Sequence, residues 1–279
     1  MSKLFVRFPG FRDKAVTLSY DDGVRQDKRL ISIMQKYGLK GTFNINSGQF
    51  SDKYEGVEKG RMTLEEAKEL YLNSGMEVAV HGYKHLSLGE VDTAVAMNDV
   101  ITDRRELEKH FGGLITGMAY ANGSAGDDAV EILRLAGIDY SRTTVPTEKF
   151  DLPNDWLRLP ATCHHNNPRL MELAESFLAP HPRNYYWAIR PKLFYLWGHS
   201  YEFDNNDNWE VIERFAEFIG GKEDVWYATN GEIYKYLKAA DSIRFSVDGK
   251  SVYNPSAITV YINYIGTEVS IAPGETVSL

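Results

Sequence analysis

From Lys14 to about Ala240, short apolar runs alternate with helically spaced ones. Residues 15–19 read as a strand that stops at Asp21-Asp22-Gly23, a turn signal. Residues 26–37 then place Leu30, Ile31, Ile33, Met34 and Tyr37 on one helical face, with Gly38 as the stop. The same reading predicts strands at 41–46, 76–80, 114–120 and 138–141, and helices at 63–73, 91–111 and 127–135. Thr63 with Glu66 three residues on is a capping box. Helix 170–178, strand 192–197, helix 210–219, strand 225–228 and helix 231–240 continue the alternation. Strand–helix repetition of this kind predicts βα units around a parallel sheet or barrel.

The pattern changes after Ala240. Stretches 243–247, 256–262 and 268–271 are β-type and are separated by Asp248-Gly249, Asn254-Pro255 and Pro273-Gly274. The expectation is a barrel over residues 1–240 and a small antiparallel β appendage over 241–279, too short to bury a core of its own.

Composition narrows the class. Of 279 residues, 43% are hydrophobic and 25% charged, which excludes a disordered chain, a collagen-like repeat and a coiled coil. The single cysteine, Cys163, excludes an internal disulfide framework. A net charge of −8 disfavours a basic nucleic-acid groove. Residues 1–12 carry Lys3, Arg7 and Arg12 and no signal-type apolar core, and no run is long enough to span a bilayer. A cytoplasmic protein with no nucleic-acid or membrane partner is the expectation, although a chain trimmed of its signal would read the same.

Residues able to do chemistry collect where the strands end, the position at which parallel α/β folds build their sites. Asp21 and Asp22 leave one strand and point in different directions, so one can bind a metal while the other faces substrate as a base. His81 and His85, with three residues between them, can bring two imidazoles to one ion. With an aspartate from another strand end they make a two-histidine, one-carboxylate set that leaves metal positions open. His199 follows the strand at 192–197 and suits an acid role. Adjacent aspartates in a plain turn, structural histidines and a capped strand end are the ordinary alternatives.

The succession Ser19-Tyr20-Asp21-Asp22-Gly23, His81-Gly82-Tyr83-Lys84-His85, a strand ending at Tyr120 and a late His199 resembles the polysaccharide deacetylase family with the NodB-homology fold. The resemblance covers roughly residues 14–240. It implies a distorted (β/α) barrel, here of about seven units, and metal-dependent removal of acetyl from N- or O-acetylated sugars. By position it implies Asp21 as general base, Asp22, His81 and His85 as metal ligands, the Tyr120 backbone N–H as an oxyanion donor and His199 as general acid. Zinc is the expected divalent metal, and cobalt or nickel would suit the same ligands.

The chain departs from the family at its third motif, where residues 117–123 carry no arginine to orient the base. Arg142, just past another strand, is the candidate replacement, with a surface ion pair as the alternative. Asp155-Trp156 resembles the fourth motif, whose aspartate positions the acid histidine. In Thr162-Cys163-His164-His165, one histidine is expected to contact substrate or to replace a missing orienting group, and Cys163 reads as a buried inert thiol. His110 and His181 read as bystanders. Trp209, with Tyr185, Tyr186 and Trp187, is a candidate sugar-stacking surface or simply core.

Three functions compete at this level. The first is a metal-dependent deacetylase acting on an acetylated sugar or oligosaccharide. The second is a cyclic-amide or other C–N amide hydrolase on the same fold, and the third a catalytically silent carbohydrate-binding protein. Asp21, Asp22, His81, His85 and His199 together favour an enzyme, because a binder needs neither base nor acid. Oligomeric state is not legible.

Overall fold

The computed structural model describes residues 5–51, 60–181 and 189–279. In chain order the first elements are β1 (Val6–Arg7), β2 (Lys14–Asp21), α1 (Asp27–Lys36), β3 (Gly41–Ile45), α2 (Leu64–Leu72), β4 (Glu77–Val80) and α3 (Thr93–Phe111). They continue as β5 (Gly117–Ala119), α4 (Asp127–Leu135), β6 (Tyr140–Pro146), β7 (Leu159–Ala161), β8 (Cys163–His164) and α5 (Leu170–Leu178). Then come β9 (Lys192–Gly198), α6 (Tyr201–Asn205), α7 (Glu210–Ile219), β10 (Val225–Tyr227) and α8 (Asn230–Ser242). Short strands end the chain: β11 (Arg244–Phe245), β12 (Ser251–Tyr253), β13 (Val260–Tyr264), β14 (Thr267–Ile271) and β15 (Thr276–Ser278).

The main sheet runs β7-β6-β5-β4-β3-β2-β9-β8, all parallel, with β10 added beside the start of β2. Only Thr162 separates β7 from β8. The run pairs with β6 at its beginning and with β9 at its end, and the Thr162 N–H donates to Tyr195 O at 2.8 Å. That run closes the sheet into a distorted (β/α) barrel of seven staves. Strand β2 is buried at every position, as a stave with sheet on both edges and covered faces must be.

Local sequence rules explain several helix ends. Thr63 caps α2 in a full capping box with Glu66, and Thr229 does the same for α8 with Glu232. The α8 N-terminus plugs the lower end of the barrel: Gly231 N–H donates to the Glu77 carboxylate at 2.8 Å, which the helix dipole favours. The predicted strand at 114–120 shrinks to Gly117–Ala119, because Leu114 is exposed and unpaired in the sheet.

The tail forms two three-stranded antiparallel sheets, β1-β13-β14 and β11-β12-β15. The first recruits Val6 and Arg7 from the opposite end of the chain, opposite Ile262 and Tyr261. Val6, Phe8, Tyr236, Ala240, Val252, Val260, Ile262 and Ile271 share one apolar cluster, so these sheets bury their inner faces against α8. No helix among the described residues is long and apolar enough to cross a membrane.

Candidate active site at the strand ends

Strand register builds the rim. Asp21 pairs with Asn44, Ile45 with Val80, Ala119 with Arg142, His164 with Trp197 and Tyr20 with Gly198. Residues just past these levels emerge together at one mouth: Asp22, His81, His85, His164 and His199.

Asp22, His81 and His85 bring one oxygen and two nitrogens within 4.8 Å of one another. His81 Nε2 lies 3.8 Å and His85 Nε2 3.5 Å from Asp22 Oδ1. His81 Nδ1 donates to the Ala119 carbonyl at 2.9 Å, which leaves the Nε2 lone pair facing Asp22. Asp22 Oδ1 is buried without a hydrogen-bond partner. A buried carboxylate oxygen with no donor, next to two imidazole nitrogens, is what a cation site requires, so these residues fit a divalent ion. Asp22 (φ 82°) and His85 (φ 59°) both adopt the left-handed backbone region, which non-glycine residues keep only where the surroundings enforce it.

Beside this cluster Asp21 is buried and Arg142 is fully buried, so the surface-pair alternative for Arg142 does not hold. The Arg142 guanidinium donates to Asp21 Oδ2 and lies 4.3 Å over the Trp197 ring, while Asn44 Nδ2 donates to Asp21 Oδ1 at 2.8 Å. Burial alone would raise the Asp21 pKa, but Arg142, His81 and His199 together bring it down to about 2. His199 Nε2 lies 3.9 Å from the same Asp21 oxygen, and its Nδ1 is 2.8 Å from Glu202 Oε1. Burial disfavours its charge, yet Glu202, Asp21 and Asp22 raise its pKa overall.

The loop carrying the histidine pair sits in a polar cradle that the sequence reading missed. Asn46 Nδ2 donates to the carbonyls of His81 and Gly82, and Asp103 Oδ2 accepts from His81 N–H at 3.0 Å. Asp99 Oδ1 accepts from Lys84 N–H at 2.9 Å. Asp99 and Asp103 lie one turn apart on α3, among buried Ala96, Val100 and Leu107. Two aspartates inside an apolar stripe were the available signal. Burial pushes Asp103 up to about 7.

Four expectations are corrected. The Tyr120 N–H donates to Arg142 O at 3.0 Å in sheet pairing, so it is not free for an oxyanion. His165 is fully buried and stacked between Tyr20 and Phe203, so it does not touch substrate. Trp209 is buried against Phe203 with its indole N–H on Asp204, which removes it as an open stacking platform. Asp155 is exposed, caps the turn 156–158 and pairs with Arg158, making no contact with His199. His164, a quarter exposed and packed on Trp197, is the histidine of its pair that reaches the rim, and burial lowers its pKa to about 4. Cys163 is buried, and burial pushes its thiol up to about 12. Tyr185, Tyr186 and Trp187 fall outside the described residues. A cavity of about 450 Å³ between α1 and α2 has none of the rim residues in its walls.

Fold and site together define a parallel α/β barrel with a histidine–carboxylate centre at its mouth. Residues 9–141 match the model of the polysaccharide deacetylase family. The fold recurs in a Mycobacterium smegmatis protein assigned as a polysaccharide deacetylase, 16% identical, with 85% of this chain and 94% of that one aligned at a TM-score of 0.60. It recurs in the family 4 carbohydrate esterase of Streptomyces lividans in complex with acetate, 15% identical over 78% and 93% of the two chains, TM-score 0.50. The chain covers 61% of the Streptococcus pyogenes deacetylase PplD, at 22% identity, 51% of its own length and a TM-score of 0.46. Comparison with curated proteins finds no match.

Proposed function

We propose that this protein is a metal-dependent hydrolase that removes acetyl groups from an N- or O-acetylated sugar or oligosaccharide. The observation that carries the reading is the meeting of three elements at one mouth. The Asp22/His81/His85 donor set, the Arg142-held carboxylate of Asp21 and the imidazole of His199 lie together, with His81 and His199 each 3.9 Å from the same Asp21 oxygen. Asp22, His81 and His85 would hold the ion, zinc being the ordinary choice for such ligands and cobalt or nickel compatible with them. When bound, a divalent ion supplies Lewis-acid polarisation of the acyl carbonyl and lowers the pKa of water toward about 7.

The chain's own residues do the rest. Arg142 keeps Asp21 ionised through the neutral range, so Oδ2 stands ready to take a proton from water. His199, its pKa raised, holds a proton at Nε2 to give to the leaving amine or alcohol. Asn44 fixes the other Asp21 oxygen. A purely binding protein would have no use for a buried carboxylate braced by a guanidinium opposite an imidazole whose pKa is raised. The acetate complex of the Streptomyces lividans esterase fits an acetyl-releasing reaction on this fold.

The test is metal analysis of the purified protein together with acetate release from a panel of N- and O-acetylated oligosaccharides, with Asp21→Asn as the control. The expected result is one divalent ion per chain and acetate release that falls at least about 100-fold in Asp21→Asn. No bound ion and no acetate from any substrate would overturn the reading, as would equal release by Asp21→Asn.

A further inference from the structure

Glu202 stands in the short helix α6, three residues after His199. Its Oε1 accepts from His199 Nδ1 at 2.8 Å. Its Oε2 accepts from Asn166 Nδ2 at 2.6 Å and lies 3.1 Å from His165 Nε2 and 3.5 Å from His164 Nε2. Residues that end β8 and residues that follow β9 thus converge on one carboxylate.

His164, His165 and Glu202 also place donor atoms within 4.8 Å of one another, the spacing of a second metal site. Their protonation argues otherwise. His164 Nδ1 accepts from the Asn166 N–H at 3.1 Å, so the proton of the neutral ring sits on Nε2, and that nitrogen has no lone pair to give an ion. Facing Glu202, it is a donor. An ionised carboxylate only accepts, so Glu202 collects N–H groups instead of sharing a cation with them.

We propose that Glu202 is the positioning residue of the acid histidine: Oε1 holds the His199 proton on Nδ1 and turns Nε2 toward Asp21, while Oε2, tied by Asn166 and flanked by His164 and His165, keeps the carboxylate from swinging away. The proposal rests on the reading of His199 as general acid. It gives Glu202, from α6, the orienting task expected at Asp155, and it accounts for the buried His165, whose ring also fills the space beside Gly198, where a Cβ would come within 2.0 Å of Nδ1. Burial disfavours the charge of Glu202, but the neighbouring His165 and the hydrogen bond with His199 hold it well below the usual carboxylate range, so it stays ionised. The charged and titratable groups facing His199 are Asp21 and Asp22 at the end of β2, Glu202 and Tyr201 on α6, and His164 and His165 at the end of β8.

The experiment compares Glu202→Gln and Glu202→Asp with wild type in the metal-loaded protein. Glu202→Gln is expected to lower kcat about 10–100-fold with KM within about 2-fold and metal content unchanged, the size of effect an orienting partner usually has. The alkaline limb of kcat/KM should move down by about one pH unit, because the carboxylate no longer favours the charged imidazole. Glu202→Asp, which keeps the charge, should recover most of that shift. Two-bond ¹H–¹⁵N spectra of the histidines read the His199 tautomer without any turnover: Nδ1–H in wild type, a mixture in Glu202→Gln. If wild type releases no acetate, the deacetylase reading falls and the spectra still decide this one. An Nε2–H tautomer of His199 in wild type, or a Glu202→Gln protein with unchanged kcat, pH limb and spectrum, overturns the proposal. A purely structural role would lower stability without moving the pH limb, and that result overturns it too.

Discussion

Replacing Arg142 by methionine removes a fully buried cation and leaves the carboxylate of Asp21 alone in the barrel. Methionine keeps most of the volume over Trp197, so the perturbation is mainly electrostatic. Deleting one partner of a buried pair costs about 3–5 kcal/mol, because the other charge keeps its desolvation penalty without its attraction. The depressed Asp21 carboxyl gives an independent figure. Its pKa falls from 3.8 to about 2 on folding, which corresponds to roughly 2–3 kcal/mol at neutral pH. Since the folded value is the lower one, that stability is present above about pH 4 and is lost as pH falls through about 2. At about 2–4 °C per kcal/mol for a large domain, Arg142→Met should lower Tm by about 6–20 °C.

The informative measurement is the double-mutant cycle with Asp21→Asn. Removing both charges takes away the orphaned ion, so Asp21→Asn/Arg142→Met should be at least about 2 kcal/mol more stable than the sum of the single changes implies. Acetate release should fall about 100-fold or more in Arg142→Met and recover only in part in Arg142→Lys, whose point charge lacks the planar fork. Additive single changes, or full acetate release by Arg142→Met, would refute both the pairing and the role given to it.

Three further outcomes follow from the same geometry. On the proposed reading zinc should raise the Tm of wild type, by about 4 kcal/mol of added stability at a thousand-fold excess over Kd, and Asp22→Asn, His81→Ala and His85→Ala should each remove that rise, read by calorimetry with and without zinc. Gly82→Ala should weaken zinc binding in titration calorimetry, because Gly82 has φ 86° and a Cβ would sit 2.7 Å from Asp99 Oδ2 under the histidine loop; unchanged affinity would show that the cradle does not position His81. Asp27, fully buried beneath Ser200 and Tyr71, has its carboxyl raised by burial to about 7. Its contribution is therefore complete below about pH 4 and lost as pH rises through about 7. Melting curves from pH 5 to 8.5 should show wild type losing ground to Asp27→Asn over that range, and parallel curves would contradict it.

The alternation of strands and helices was readable because each βα unit announces itself locally, through apolar periodicity and caps such as Thr63 with Glu66. The closing run 159–164 was not, since it is short, contains Pro160 and divides its pairing between β6 and β9, so no neighbourhood in the chain marks it as a strand. The site divides along the same line. Asp22, His81 and His85 stand at strand ends, and any register that builds the barrel brings them to its mouth. The Tyr120 N–H depends on the register itself: opposing Ala119 to Arg142 commits the next N–H to the Arg142 carbonyl, a bond that side-chain identity does not encode. Arg142 reached Asp21 by the same pairing, 121 residues away along the chain. Shifting β6 by one residue would turn the guanidinium to the opposite face of the sheet, away from Asp21. One register thus gives Asp21 its guanidinium and commits the Tyr120 N–H to the sheet, so on the proposed reading any protein donor to an oxyanion has to come from outside that strand pair.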